Sequence, residues 1–256
     1  MKVIVLAGGL GSRLGSLGEL MPKPMIEVGG KPMLWHIMKI YSSFGYNDFI
    51  ICLGYKGSVI KDYFKNFRDL NSDFSVNLSN GQITHHTDLT EDWNVTLVDT
   101  GLQTLKGGRI KRIEDFTSSE TNMLTYGDGV SDIDLNKLIK FHNSHDKIVT
   151  ITGVRPPSMF GEFIENNNQV ISFEEKPQTS EGLINGGFIV FDKEMFDYLT
   201  PKKDCDFEFG PLDQLVQDEQ VMCYRHEGFW ECADTIRDID NLNRLFTSGN
   251  APWIKW

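Results

Sequence analysis

Apolar residues fall into short solid runs near the start of the chain, and into alternating or helical patterns further on. Val3 to Leu6 is a β-branched apolar run, the pattern of a strand buried on both faces of a parallel sheet. A glycine-rich loop follows, and Pro32 then opens a helix with apolar Met33, Leu34, Ile37, Met38, Ile40 and Tyr41. Phe49 to Leu53 is the next predicted strand and Ser58 to Phe67 the next helix. From Phe74 to Val98 apolar and polar residues alternate (Phe74, Val76, Leu78, later Val95 and Leu97), which predicts short antiparallel strands. Gly107 to Phe116 predicts a helix, Asn122 to Tyr126 a strand ending in Gly-Asp-Gly, and Leu135 to His145 a helix.

The second half is richer in strands: Ile148 to Val154, Glu162 to Ile164, Val170 to Phe173 and Leu183 to Phe191, with a hairpin turn at Asn166-Asn167-Asn168. A last helix, Thr235 to Phe246, sets Ile236, Ile239, Leu242, Leu245 and Phe246 on one face and stops near Gly249. No repeat, low-complexity tract or Pro/Ser linker divides the chain. The pattern predicts an α/β fold: a single Rossmann-like mixed sheet flanked by helices, with a β-rich second half completing the pocket. Residues 1–256 are expected to form one domain.

Composition narrows the function classes. With 40% hydrophobic and 24% charged residues the 256-residue chain is an ordinary globular sequence. Its formal net charge of -11 argues against coating nucleic acid or an anionic membrane, since a negative field repels polyanions. A small anionic ligand sees only the local field of its pocket, so Lys and Arg placed among glycines carry more weight here. Cys52, Cys205, Cys223 and Cys232 are scattered without a C-x-x-C pair, which fits a reducing compartment and gives neither a disulfide framework nor a zinc site. The apolar run at the N-terminus is too short for a signal peptide, and no other run reaches membrane length, so the expectation is a cytoplasmic protein.

The strongest motif is Leu6-Ala7-Gly8-Gly9-Leu10-Gly11-Ser12-Arg13-Leu14, directly after the first strand. There the ligand crevice of an open α/β sheet lies, and glycines let backbone N–H groups turn onto an anion. Arg13 adds a bidentate donor and Lys23, between Pro22 and Pro24, a point charge, so the group describes a triphosphate cradle. A dinucleotide fingerprint is excluded by Leu14 at its third glycine position, and a Walker loop by Pro32 after Gly30-Lys31. Asp128, between Gly127 and Gly129 at a strand end, is placed to hold a hard cation, although a turn aspartate bonding its own backbone has the same look. Asp234 is its candidate partner, with helix capping by Asp234 or Thr235 as the plainer alternative. Spacing alone does not bring the two aspartates together. Glu175-Lys176-Pro177 and Asn185-Gly186-Gly187 offer a carboxylate, a lysine and an amide for sugar hydroxyls and a phosphate. The histidines point to core, surface or cap roles, and no Ser/His/Asp or Cys/His set marks a nucleophile.

Taken in order, Leu-Ala-Gly-Gly-x-Gly-x-Arg-Leu, Pro-Lys-Pro, Gly-Asp-Gly, Glu-Lys-Pro and Asn-Gly-Gly resemble the sugar nucleotidyltransferases. The closer likeness is to members of that family that transfer a cytidylyl group to glucose 1-phosphate. Lys31 to Met38, Phe49 to Gly57, Trp93 to Gly101, Gly107 to Arg109, Gly228 to Trp230 and Ala251 to Trp253 extend it along the whole chain. The resemblance implies CTP and glucose 1-phosphate as substrates, Mg²⁺ as cofactor and a homo-oligomer, with no nucleic acid or membrane partner. It implies that Leu6, Ala7, Gly8, Gly9, Leu10, Gly11, Ser12, Arg13, Lys23 and Asp128 bind the nucleotide, Arg13 and Lys23 being catalytic, while Thr104 and Arg109 recognise the cytosine nucleotide. Asp128 and Asp234 would hold the metal, and Glu175, Lys176, Asn185 and Gly186 the sugar phosphate. Residues 1–130 would then form the nucleotide half and 131–256 the sugar-phosphate half. The same chemistry with another triphosphate or sugar, and a non-catalytic nucleotide-binding subunit, are the alternatives.

Overall fold

The computed structural model describes the chain apart from residues 12–13, 88–89, 118–119, 157–161 and 175–181. Its main sheet is built from β1 (Val3–Ala7), β2 (Asp48–Leu53), β3 (Asn94–Asp99), β4 (Thr121–Tyr126), β5 (Val149–Val154), β6 (Ile189–Asp192) and β7 (Val221–His226). The order across it is β3-β2-β1-β4-β6-β5-β7. Among these seven strands β6 runs antiparallel to its neighbours and the other pairings are parallel; the short strand Ile184–Asn185 adds a second antiparallel pairing on β5. Every residue of β1 is buried. Because side chains alternate across a strand, Val3, Val5 and Ala7 enter one core cluster and Ile4 and Leu6 the other.

Helices cover both faces. Met33–Ser42 (α1), Gly57–Lys65 (α2), Leu135–His142 (α4) and Ile236–Thr247 (α6) pack on the Val3/Val5 side through residues such as Ile37, Ile60, Leu138 and Leu242. Lys106–Arg112 (α3) and Pro211–Gln217 (α5) cover the Ile4/Leu6 side with Ile110 and Leu215. Each such aliphatic side chain taken out of water contributes roughly 1.5–3 kcal/mol, so the apolar stripes hold the layers together. Helix α6 begins at a reciprocal cap: the Thr235 hydroxyl accepts from the Asp238 N–H (3.3 Å), and the Asp238 carboxylate from the Thr235 N–H (2.8 Å). Thr235→Ala should therefore lower stability by about 1 kcal/mol in a denaturant titration, and an unchanged midpoint would show that the cap contributes nothing.

The expected mixed sheet with flanking helices is present. Several elements differ from the sequence pattern. Phe74–Asn77 and Gln82–His85 do pair as an antiparallel ribbon, but Val95 and Leu97 belong to β3, a parallel edge strand beside β2. A half-buried edge strand alternates in the same way as an antiparallel one, which is why the pattern misleads. The single strand expected over Leu183 to Phe191 is broken: Ile184–Asn185 and β6 both pair with β5, but Gly186-Gly187 shifts the register between them. The 135–145 helix ends at His142, and α5 and β7 carry no sequence expectation. Asn167 and Asn168 both have positive φ (51° and 64°), as the expected tight turn between Glu162–Asn166 and Gln169–Glu174 requires.

Candidate functional site

A cleft of about 730 Å³ opens where β1 and β4 end, at the carboxyl edge of the parallel strands. Leu6, Ala7, Gly8, Gly9, Leu10 and Gly11 line it, as do Lys23, Thr104, Arg109, Asp128, Asn185 and Asp234. Gly186 sits just behind the lining, its N–H on the Thr152 carbonyl and its own carbonyl accepting from the Trp230 indole, both at 2.8 Å. Ser12, Arg13, Glu175 and Lys176 lie outside the described residues.

Arg109 lies at the base of the glycine loop and is only 4% exposed. Its Nη1 donates to the Leu53 carbonyl (2.9 Å) and Thr100 Oγ1 (2.8 Å), and its Nη2 to the carbonyls of Gly8 (2.9 Å) and Leu102 (3.3 Å). One planar fork thus ties the ends of β1 and β2 to the 100–104 loop. A Cβ on Gly8 would collide with that guanidinium, so this glycine makes room for an arginine as well as for a ligand. These four bonds are made to the protein itself. Thr104 is held in turn by Arg112, whose Nη1 donates to its Oγ1 at 2.9 Å.

On the opposite wall, Pro22 and Pro24 flank Lys23 in a short 3₁₀ turn closed by the Met25 N–H on the Pro22 carbonyl (2.8 Å). The fixed backbone aims the Lys23 ammonium at Asp128 Oδ2, 2.6 Å away, and the same ammonium pairs with Asp234 Oδ1. Asp128 stands in the bend between β4 and the strand Gly129–Ser131, and Asp234 follows Trp230–Cys232. Those two short strands pair antiparallel, Gly129 opposite Cys232, and the Ala233 N–H donates to the Asp128 carbonyl (2.9 Å). The pairing is what brings the aspartates together. It also decides the capping question: Thr235 caps α6, and the Asp234 carboxylate faces Lys23. Burial works against the charge on Lys23, yet Asp128 and Asp234 outweigh it and hold the ammonium above the usual lysine range.

A third group is centred on a pair, Lys106 and Glu208, that no sequence motif marks. Lys106, from α3, reaches Glu208 Oε1 at 2.5 Å, and the Tyr126 hydroxyl donates to the same oxygen at 2.7 Å. Asn185 joins them, its Nδ2 donating to the Tyr126 hydroxyl (3.1 Å) while its Oδ1 accepts from the Gly187 N–H (3.0 Å). Burial opposes the Glu208 charge, but Lys106 and Tyr126 keep its carboxyl below the usual range. Burial and the adjacent Glu208 carboxylate push the Tyr126 phenol up, so it remains a donor. Lys106, Tyr126, Glu208 and Trp230 all line the cleft, and none was assigned a role from the sequence.

A strand-end glycine loop, a prolyl-fixed lysine and two converging carboxylates together line one cleft, a set of groups whose chemistry suits phosphates and a hard cation. The model of the nucleotidyl transferase family matches residues 2–247, and the chain belongs to that family. Glucose-1-phosphate cytidylyltransferase of Salmonella typhimurium is 46% identical to it over 257 residues, covering 100% of both chains. D-glycero-alpha-D-manno-heptose 1-phosphate guanylyltransferase of Aneurinibacillus thermoaerophilus is 30% identical over 84% of each chain. Among solved structures, HddC from Yersinia pseudotuberculosis complexed with GMP-PN superposes with a TM-score of 0.69 and 24% identity, over 96% of this chain and 99% of that one. The last likeness is one of fold.

Proposed function

We propose that the chain transfers a cytidylyl group from CTP to α-D-glucose 1-phosphate, giving CDP-D-glucose and pyrophosphate. The observation that carries this reading is the convergence of Lys23, Asp128 and Asp234 beside the glycine loop, in a chain with a full-length relative named for that reaction. A phosphate oxygen of the sugar phosphate attacks the α-phosphorus of CTP, the bond to the β-phosphate breaks, and pyrophosphate departs. The attacking oxygen is already anionic near neutral pH, so positioning and charge neutralisation are the main tasks.

The glycine loop receives the triphosphate through its N–H groups, and Ser12 and Arg13, next in the sequence, supply further donors. Arg109 keeps the loop in place from beneath, and Thr104 stands at the nucleotide end. Glu175 and Lys176 receive the sugar phosphate, and Asn185, oriented by Tyr126 and Gly187, offers its amide to the sugar. Asp128 and Asp234 suit Mg²⁺, since their donors are hard oxygens. When bound, Mg²⁺ would act as a Lewis acid on the phosphate oxygens.

The chain acts in the cytoplasm as a homo-oligomer on this reading. No described helix is long and apolar enough to cross a membrane, and the exposed Val76, Leu78 and Ile83 of the 74–85 ribbon favour contact with another copy. The test is pyrophosphate release with Mg²⁺ across ATP, CTP, GTP, UTP and dTTP, with and without glucose 1-phosphate. Release is expected only with CTP and the sugar phosphate together. Release with another pair would move the substrate, and tight nucleotide binding without release would point to a regulatory subunit.

A further inference from the structure

Two carboxylates aimed at one point repel each other unless a cation lies between them. In this chain a side chain supplies that cation. One ammonium, on Lys23, takes Asp128 Oδ2 and Asp234 Oδ1 together, so it occupies carboxylates that would hold a divalent ion. The Lys23 side chain is more buried (13% exposed) than Asp128 (31%) or Asp234 (30%), so the ammonium sits below carboxylates that open onto the cleft. Its backbone is fixed by Pro22, by buried Pro24 and by the Ile26 N–H on the Lys23 carbonyl at 3.2 Å. Only the flexible four-carbon stem is left to move.

We propose that Lys23 is a tethered counter-ion that competes with the divalent cation for Asp128 and Asp234. The cation enters the pair when the ammonium gives up its carboxylates, and phosphates in the cleft offer that ammonium new acceptors. The nucleotide-free protein then has weak affinity for a bare divalent ion. Cation and triphosphate favour each other's binding, because the phosphates stabilise the state in which Lys23 has let go. The proposal rests on reading Asp128 and Asp234 as the cation pair, and the experiment separates the two ideas.

Mn²⁺ is titrated into the nucleotide-free full-length protein and followed by electron paramagnetic resonance of the free ion, for the wild type, Lys23→Met, and Lys23→Met combined with Asp128→Asn. Lys23→Met should bind Mn²⁺ about tenfold tighter than the wild type or better, and the double variant should lose that binding. Equal or weaker binding by Lys23→Met, abolished in the double variant, would overturn the competition and leave the carboxylate pair standing. Absence of Mn²⁺ binding in all three proteins, or binding that ignores Asp128→Asn, would overturn both. Thermal unfolding gives a second readout: Lys23→Met should melt below the wild type without metal and gain more from Mn²⁺. Should the Met variant fail to fold, Lys23→Gln takes its place in both measurements with the same expectations.

Discussion

Asp128→Asn is expected to lower the turnover of pyrophosphate release by roughly a thousandfold, the scale on which loss of one preorganised charge-stabilising group slows an enzyme. The fold should persist, because what Asp128 gives the fold is its backbone: its carbonyl accepts the Ala233 N–H, and Gly129 next to it carries the pairing with Cys232. The amide keeps the size of the carboxylate, removes its charge and turns one acceptor oxygen into a donor. Lys23 would retain Asp234, and the cation site would keep one of its two protein carboxylates. Steady-state rates alongside a thermal melt check this, and near-normal turnover at an unchanged melting temperature would remove Asp128 from the reaction centre.

The second large effect is expected at Arg109. Arg109→Ala deletes a buried fork that joins Gly8, Leu53, Thr100 and Leu102, and should cost about 2 kcal/mol of stability. The cost is moderated because the Leu53 carbonyl still receives Thr100 through its N–H (2.9 Å) and its hydroxyl (2.6 Å), and the Gly8 carbonyl keeps the Tyr55 N–H (3.2 Å). Released from beneath, the glycine loop should bind CTP more weakly, with KM raised about tenfold and kcat changed much less. Arg109→Lys should recover little, since an ammonium cannot span the four acceptors in one plane. The opposite pattern, with stability and KM retained and the preference for CTP over UTP lost, would return Arg109 to the base-reading role that the resemblance implies.

Local chemistry was legible where residues close in sequence do the work. The apolar run of β1, the glycines after it, and Lys23 between two prolines each act on their neighbours, so their pattern states what they form. Thr235 and Asp238 are the same kind of case, three residues apart and reciprocal. Side chains gathered by the sheet were not legible. Asp234 reaches Lys23 only because Gly129–Ser131 pairs with Trp230–Cys232, and nothing in either strand names the other. Glu208 takes its meaning from Lys106 on α3 and Tyr126 on β4, and alone in Asp-Phe-Glu-Phe-Gly it reads as a surface acid. Arg109 lines the cleft, but three of its four acceptors are backbone carbonyls, which carry no sequence signature.

The short pairing of Gly129–Ser131 with Trp230–Cys232 also sets when the centre can exist. Lys23 and Asp128 are 105 positions apart, and Lys23 and Asp234 are 211 apart. A chain leaving the ribosome at ~5–20 residues per second therefore presents the glycine loop, Lys23 and Asp128 roughly five to twenty seconds before Asp234 arrives. Contacts of such long sequence separation close late in folding, after the entropy of a long loop has been overcome. On the proposed reading, the growing polypeptide carries the glycine loop and Lys23 without a finished reaction centre, and the pair of aspartates is complete only when Trp230–Cys232 clasps the bend that holds Asp128.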